Sequence, residues 1–135
     1  MSIVNSFCFE LVSPEKCVFS GEVKSVVLPS ENGDITILSG HSSVLSIIRP
    51  GIIIVELASG DVYRYVVVDG IADASSSRCT VLSENIFPVD ELCIDELDNH
   101  IFKITYDIKS VDDVDHKSKL QQLLLDLSLV RDSLR

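Results

Sequence analysis

The chain has 135 residues, 46% of them apolar, enough for one packed domain with a modest appendage. Its formal charge of −10 is spread along the chain: five Lys and Arg stand against ten Asp and Glu up to Pro88, and six against eleven beyond it. With no cluster of cations to neutralise phosphates, nucleic acid is excluded as a partner and an anionic membrane surface is disfavoured.

No stretch approaches the roughly 18 consecutive apolar residues of a spanning helix. The opening MSIVNSFCFE lacks the basic-then-apolar layout of a signal peptide. The expectation is a soluble cytosolic protein, or one held at a membrane only through a partner, with no direct insertion. Cys8, Cys17, Cys79 and Cys93 show no Cys-x-x-Cys spacing and read as buried, reduced thiols.

From Phe7 to about Glu84 the apolar residues come in short Val- and Ile-rich runs separated by Gly, Pro, Ser, Asn and Asp, the pattern of strands and turns. Phe7, Phe9 and Leu11 alternate with Cys8 and Glu10, which predicts a strand with one buried face. Strands are predicted at Val18–Phe19, at Val23–Leu28 and at Ile35–Leu38, with Asn32-Gly33 supplying positive φ in the connection Pro29–Asp34. Leu45–Ile48 follows. Gly51–Leu57 and Val62–Val68 bracket Ala58-Ser59-Gly60-Asp61 as an antiparallel hairpin, and Ile71–Asp73 and Cys79–Leu82 complete the series. Many short strands with no helical pattern between them argue for a two-layer sandwich or flattened barrel rather than a parallel sheet.

After Pro88 the period changes. Ile94, Leu97, Ile101, Ile104 and Ile108 recur at steps of three and four, one face of a helix, with Asp90 as its N-cap. Lys109–Asp112 interrupts the pattern. Leu120, Leu123, Leu124, Leu127, Val130 and Leu134 then set a second stripe on a helix starting near Asp112 or Asp113. So short a connection folds the two helices back as an antiparallel hairpin. A pair this thin buries little by itself, which makes it a candidate moving part. The chain thus divides into a strand-rich domain, 1–88, and a helix-loop-helix, 89–135.

Chemistry finds little support. His41 is the sole histidine of the strand-rich region, but no Gly-x-Ser-x-Gly elbow accompanies it, and the histidines and cysteines lie too far apart for a recognised metal cluster. Neither Gly-x-x-x-x-Gly-Lys nor Gly-x-Gly-x-x-Gly is present, so no phosphate-cradling loop is expected. Carboxylates such as Glu31, Asp34, Asp112 and Asp113 sit where acidic residues ordinarily cap backbone groups or solvate turns. No catalytic, metal-binding or cofactor-binding residue is expected.

Three segments carry more: FELVSPEKCVFSGEV (Phe9 to Val23), ILSGHSSVLSIIRPG (Ile37 to Gly51) and VVVDGIADASSSRCTVLSE (Val66 to Glu84). In this order and spacing they closely resemble the epsilon-subunit family of bacterial F-type ATP synthases. The ordered set includes Val12-Ser13-Pro14-Glu15, a Phe19-Ser20-Gly21 turn, Gly40-His41, Pro50-Gly51, Gly70-Ile71 and Thr80-Val81-Leu82. The resemblance implies an all-β sandwich of about ten strands followed by an α-helical hairpin. It also implies a non-catalytic central-stalk role, coupling c-ring rotation through the gamma subunit to the catalytic head of a proton-driven synthase. Met1, followed closely by the family pattern, points to a bacterial protein, peripheral on the cytoplasmic face of the inner membrane.

By position, the resemblance assigns Glu31 and Asp34 to contact with the c-ring, and His41 and Ser42 to contact with gamma. It implies that the hairpin can open and inhibit ATP hydrolysis, with Lys117, Lys119, Arg131 and Arg135 meeting acidic loops of the alpha and beta subunits. Asp112, Asp113, Asp115, Asp126 and Asp132 oppose those cations. A nucleotide-binding motif of the family, Ile-Asp-x-x-Arg-Ala, falls on Ile94 and Asp95, but its Arg position is Asp98, so weak or absent ATP binding is expected. The alternative is a β-sandwich adaptor of another complex, which would share the charge and the missing catalytic motifs. A small hydrolase on a similar sandwich would need convergent polar groups in a cleft.

Overall fold

The computed structural model describes residues 6–89 and 93–134. These fall into two compact units divided between Pro88 and Val89. The first holds nine strands: β1 (Phe7–Val12), β2 (Cys17–Ser30), β3 (Gly33–Leu38), β4 (Val44–Ile48), β5 (Gly51–Leu57), β6 (Val62–Val67), β7 (Gly70–Ala74), β8 (Arg78–Leu82) and β9 (Ile86–Pro88). They form a two-layer sandwich.

β2 organises it. Its first half pairs with β1, its second half with β3 on one side and β5 on the other, and Ser30 at its end pairs with Ile48 of β4. The ladder shifts register between Val23 and Ser25, an irregularity that lets one long strand bend from layer to layer. From β1 the pairing runs through β8, β7 and β4 back to β2, while β5, β6 and β9 continue outward from β2.

Three expectations change in detail. Val18–Phe19 and Val23–Leu28 belong to one strand, because Gly21 lies within the ladder opposite Phe9 and does not turn. The β2–β3 connection is only Glu31-Asn32, and among the described residues positive φ occurs at Gly33 (+120°) but not at Asn32. β1 and β8 pair in parallel, alone among the described strand pairs, which local sequence patterning does not encode.

The core follows the alternation. Phe7, Phe9 and Leu11 are buried from β1, Val23, Val26 and Leu28 from β2, Ile53 and Val55 from β5, and Cys79 and Val81 from β8. Burying each of the larger side chains contributes about 1.5–3 kcal/mol. Cys79 is buried as expected, whereas Cys17 is exposed at the start of β2, its thiol near the Phe19 carbonyl at 3.3 Å.

The second unit is a helical hairpin, α1 (Cys93–Ser110) and α2 (Val114–Ser133). The Asp90 expected to cap α1 lies outside the described residues, as does Arg135. Asp113 caps α2: its side chain accepts from the Asp115 N–H at 3.0 Å. Of the positions the helical period picked out, Leu97, Ile104, Leu127 and Val130 are buried, and Ile94, Ile101, Ile108, Leu120, Leu123, Leu124 and Leu134 are half-buried. The opposite faces are also partly apolar, for Phe102 and Tyr106 on α1 and Leu125 and Leu129 on α2 are exposed.

Candidate functional site

β4 should carry apolar residues inward and polar ones outward if one side of its sheet meets water. It does not. Val44 and Ile48 point into the sandwich, yet Leu45 (76% exposed) and Ile47 (55%) point out. Ile47 is the ladder partner of Ile71 on β7, which is in turn the partner of Leu82 on β8. Paired residues share a face, so Ile47, Ile71 (53%) and Leu82 (48%) line up across three strands, with Leu45 at one end. A contiguous exposed apolar band of this kind marks an interaction surface.

Beside Ile71 and Leu82 the band dips into an open cavity of about 290 Å³, which also touches Pro14, Asp69 and Glu84. That is close to the ~300 Å³ of the smallest small-molecule pockets, and roomy enough to admit a protein side chain.

The loop entering β4 carries His41 and Ser42. Gly40 (φ +81°) is the third residue of a turn closed by the His41 N–H donating to the Leu38 carbonyl at 3.3 Å, a conformation that favours glycine. The Gly40 N–H donates to the Ser76 carbonyl at 3.0 Å, fastening the loop to the β7–β8 connection. His41 stands edge-on to Phe7, ring centroids 5.9 Å apart. Its Nδ1 lies 2.7 Å from the Ser42 carbonyl; since a carbonyl only accepts, Nδ1 carries the proton. Nε2 is buried and unpartnered among the described residues. Among the described residues no hydroxyl hydrogen-bonds either nitrogen, and the ring packs against Phe7.

Glu31 and Asp34 are both exposed at the tip of the β2–β3 hairpin, Glu31 in the turn and Asp34 one residue inside β3, opposite Pro29. The tip is tied to β4: the Glu31 N–H donates to the Ile47 carbonyl at 3.0 Å, and the Arg49 N–H to the Pro29 carbonyl at 2.9 Å. One rigid piece of backbone therefore joins the acidic tip to the apolar band.

On the hairpin, Lys117 and Lys119 are exposed, while Arg131 is held by Asp98 of α1. Ile94 is half-buried, and exposed Asp95 lies in the first turn of α1, where a carboxylate complements the helix dipole. Among the described residues no group of three or more His, Cys, Asp or Glu could hold a metal, and no helix is long and apolar enough to cross a membrane.

Comparison with known proteins agrees with this layout. The family model for the ATP synthase, Delta/Epsilon chain, beta-sandwich domain matches residues 6–89. The ATP synthase epsilon chain of Rhizobium leguminosarum bv. trifolii is 37% identical over 129 residues, 96% of each chain. That of Rhizobium etli is 38% identical, again over 96% of each. Among solved structures, a chain of the Euglena gracilis mitochondrial ATP synthase, in an assembly of OSCP, F1 and c-ring, superposes with a TM-score of 0.77 at 17% identity. The match covers 100% of this chain and 85% of that one. A chain of the Tetrahymena thermophila central stalk and c-ring gives 0.54 at 14% identity, over 64% and 69% of the two chains.

Proposed function

The chain belongs to the ATP synthase delta/epsilon family, as a non-catalytic epsilon chain, and from that premise we propose that its Leu45–Ile47–Ile71–Leu82 band docks the gamma subunit. The exposed apolar band carries the reading, because water-facing leucines and isoleucines aligned over three strands stabilise nothing in the isolated sandwich. His41 and Ser42 lie on the loop that leads into it and would border the contact. The adaptor of another complex is not favoured by relatives that are epsilon chains along nearly their whole length.

The β2–β3 tip, with Glu31 and Asp34, would meet the c-ring. Loop carboxylates pair with Arg or Lys across an interface and set register more than affinity. The backbone bonds from the tip to β4 support a coupling role, since torque received at the tip passes to the gamma-binding band through hydrogen-bonded strands. The protein would sit peripherally at the cytoplasmic face of the inner membrane, held by these partners.

The helix-loop-helix is the regulatory part of the proposal, with exposed Lys117 and Lys119 as contacts for acidic loops of alpha and beta. Arg131 would join them only after leaving Asp98. Removing the residues after Pro88 should raise ATP hydrolysis by the assembled enzyme; unchanged hydrolysis would mean that this chain has no brake.

The docking reading is tested by size-exclusion co-migration with the gamma subunit from the same source. The folded wild type should form a stoichiometric complex, and Ile47→Asp, which changes an exposed residue, should abolish it while leaving the circular dichroism spectrum intact. Separate peaks from folded wild-type partners would refute it.

A further inference from the structure

The apolar band has a margin in which carboxylates predominate. Asp73 is the ladder partner of Leu45, and Asp69 and Glu84 flank the cavity beside Ile71 and Leu82. Of the cations on this side of the sheet, Arg78 is taken by Glu10 across the β1–β8 pairing, and Arg49, two residues past Ile47, has a partner of its own. Among the described residues no Lys or Arg pairs with Asp69, Asp73 or Glu84.

Asp69 is fixed in position. Its Oδ1 accepts from the Ser83 hydroxyl at 3.1 Å and from the Glu84 N–H at 3.4 Å, and Oδ2 has no partner among the described residues. Gly70 next to it shapes the cavity wall: a Cβ there would fall 2.6 Å from the Leu82 carbonyl oxygen. A preset carboxylate therefore stands beside a hollow roomy enough for a side chain, with a second carboxylate, Glu84, on the same margin.

We infer that the segment received here carries an aliphatic side chain that enters the cavity beside Ile71 and Leu82, flanked by a Lys or Arg that pairs with Asp69 and Glu84. This rests on reading the band as the gamma-docking face and adds the chemistry of the occupant. An acidic partner would be repelled, and a purely apolar one would bury Asp69 without a counter-charge, an arrangement that costs more than the contact returns. A basic–aliphatic segment satisfies the hollow and its margin together. Opposite potentials would also speed encounter, so association should be salt-sensitive.

The test is the association rate and Kd for the gamma subunit from the same source, at low and high salt, for wild type, the double variant Asp69→Asn/Glu84→Gln, and Asp61→Asn as a control. Asn at 69 keeps an oxygen acceptor for Ser83 and the Glu84 N–H, so the sheet should stay intact. Asp61 lies in the β5–β6 turn. The double variant should bind on the order of tenfold more weakly with a flatter salt dependence, and Asp61→Asn should match wild type. Undiminished binding by the double variant, or equal weakening by Asp61→Asn, would overturn the inference while leaving the docking face standing. Failure of folded wild type to bind gamma would overturn both.

Discussion

Asp98 of α1 and Arg131 of α2 meet as a two-pronged ion pair, the guanidinium donating through Nε to Oδ1 and through Nη2 to Oδ2, the latter at 3.2 Å. Hydrogen bonding to Asp98 holds Arg131 even further from deprotonation than usual. The forked geometry fixes the register of the two helices as a point charge would not. Asp98→Asn should speed amide exchange in both helices a few-fold and leave the sandwich unchanged, and the swap Asp98→Arg/Arg131→Asp should restore protection. Exchange as slow in Asp98→Asn as in wild type would show that the pair does not clasp the hairpin.

The same pair bears on nucleotide. The Asp98 carboxylate stands at the position where the resembled motif has a cation, and Arg131 is already committed to it. Calorimetric titration of the isolated chain with ATP should show no saturable binding tighter than roughly 1 mM. A tight, ATP-specific isotherm would contradict this.

Two glycines of β2 and β5 should answer substitution in opposite ways. A Cβ at Gly51 would sit 2.5 Å from Cβ and 2.9 Å from Cγ of Pro29, a ring that cannot rotate aside. Gly51→Ala should lower unfolding free energy by about 1–3 kcal/mol in urea melts. At Gly21 the nearest atom is a Phe19 ring carbon at 3.7 Å, and φ is not positive. Gly21→Ala should be neutral or stabilising by about 0.4–1 kcal/mol; marked destabilisation would mean that Gly21 turns the chain and β2 is not one strand.

Burial in the sandwich pushes the Cys79 thiol from its ordinary 9.0 up to about 12, with Asp73 adding to the shift. The folded state therefore keeps a proton that the unfolded chain gives up. The contribution of Cys79 to stability should be constant below pH 9 and fall between pH 9 and 12, with a limiting slope of about tenfold in the folding equilibrium per pH unit. Tyr65, raised above its usual 10.0 by burial and then by Tyr63, acts in the same direction at the upper end. Cys79→Ala should remove the onset near pH 9. In native protein a thiol reagent should label exposed Cys17 and spare Cys79.

Much of this molecule was legible locally. The period-two alternation of Phe7, Phe9 and Leu11 and the three-and-four spacing from Ile94 to Ile108 identify buried faces because each element can hide only one side. The break read at Lys109–Asp112 overlaps the connection but starts too early, since Lys109 and Ser110 still belong to α1; the connection ends on Asp113, whose short polar side chain accepts a helix N–H. Ordered motifs pointed to the family. Gly21 misled, since a glycine can turn or lie in a ladder and only the partner strand decides which.

The sequence by itself determined the two kinds of element, their order and the division near Pro88, since these follow from backbone preference and apolar period along the chain. Tertiary structure alone decided the parallel β1–β8 pairing, the alignment of Ile47, Ile71 and Leu82, the tie from Glu31 to β4, and the meeting of Asp98 with Arg131. Those relations join residues distant along the chain, and registers between strands or helices are set by which faces pack together, a choice no single segment carries.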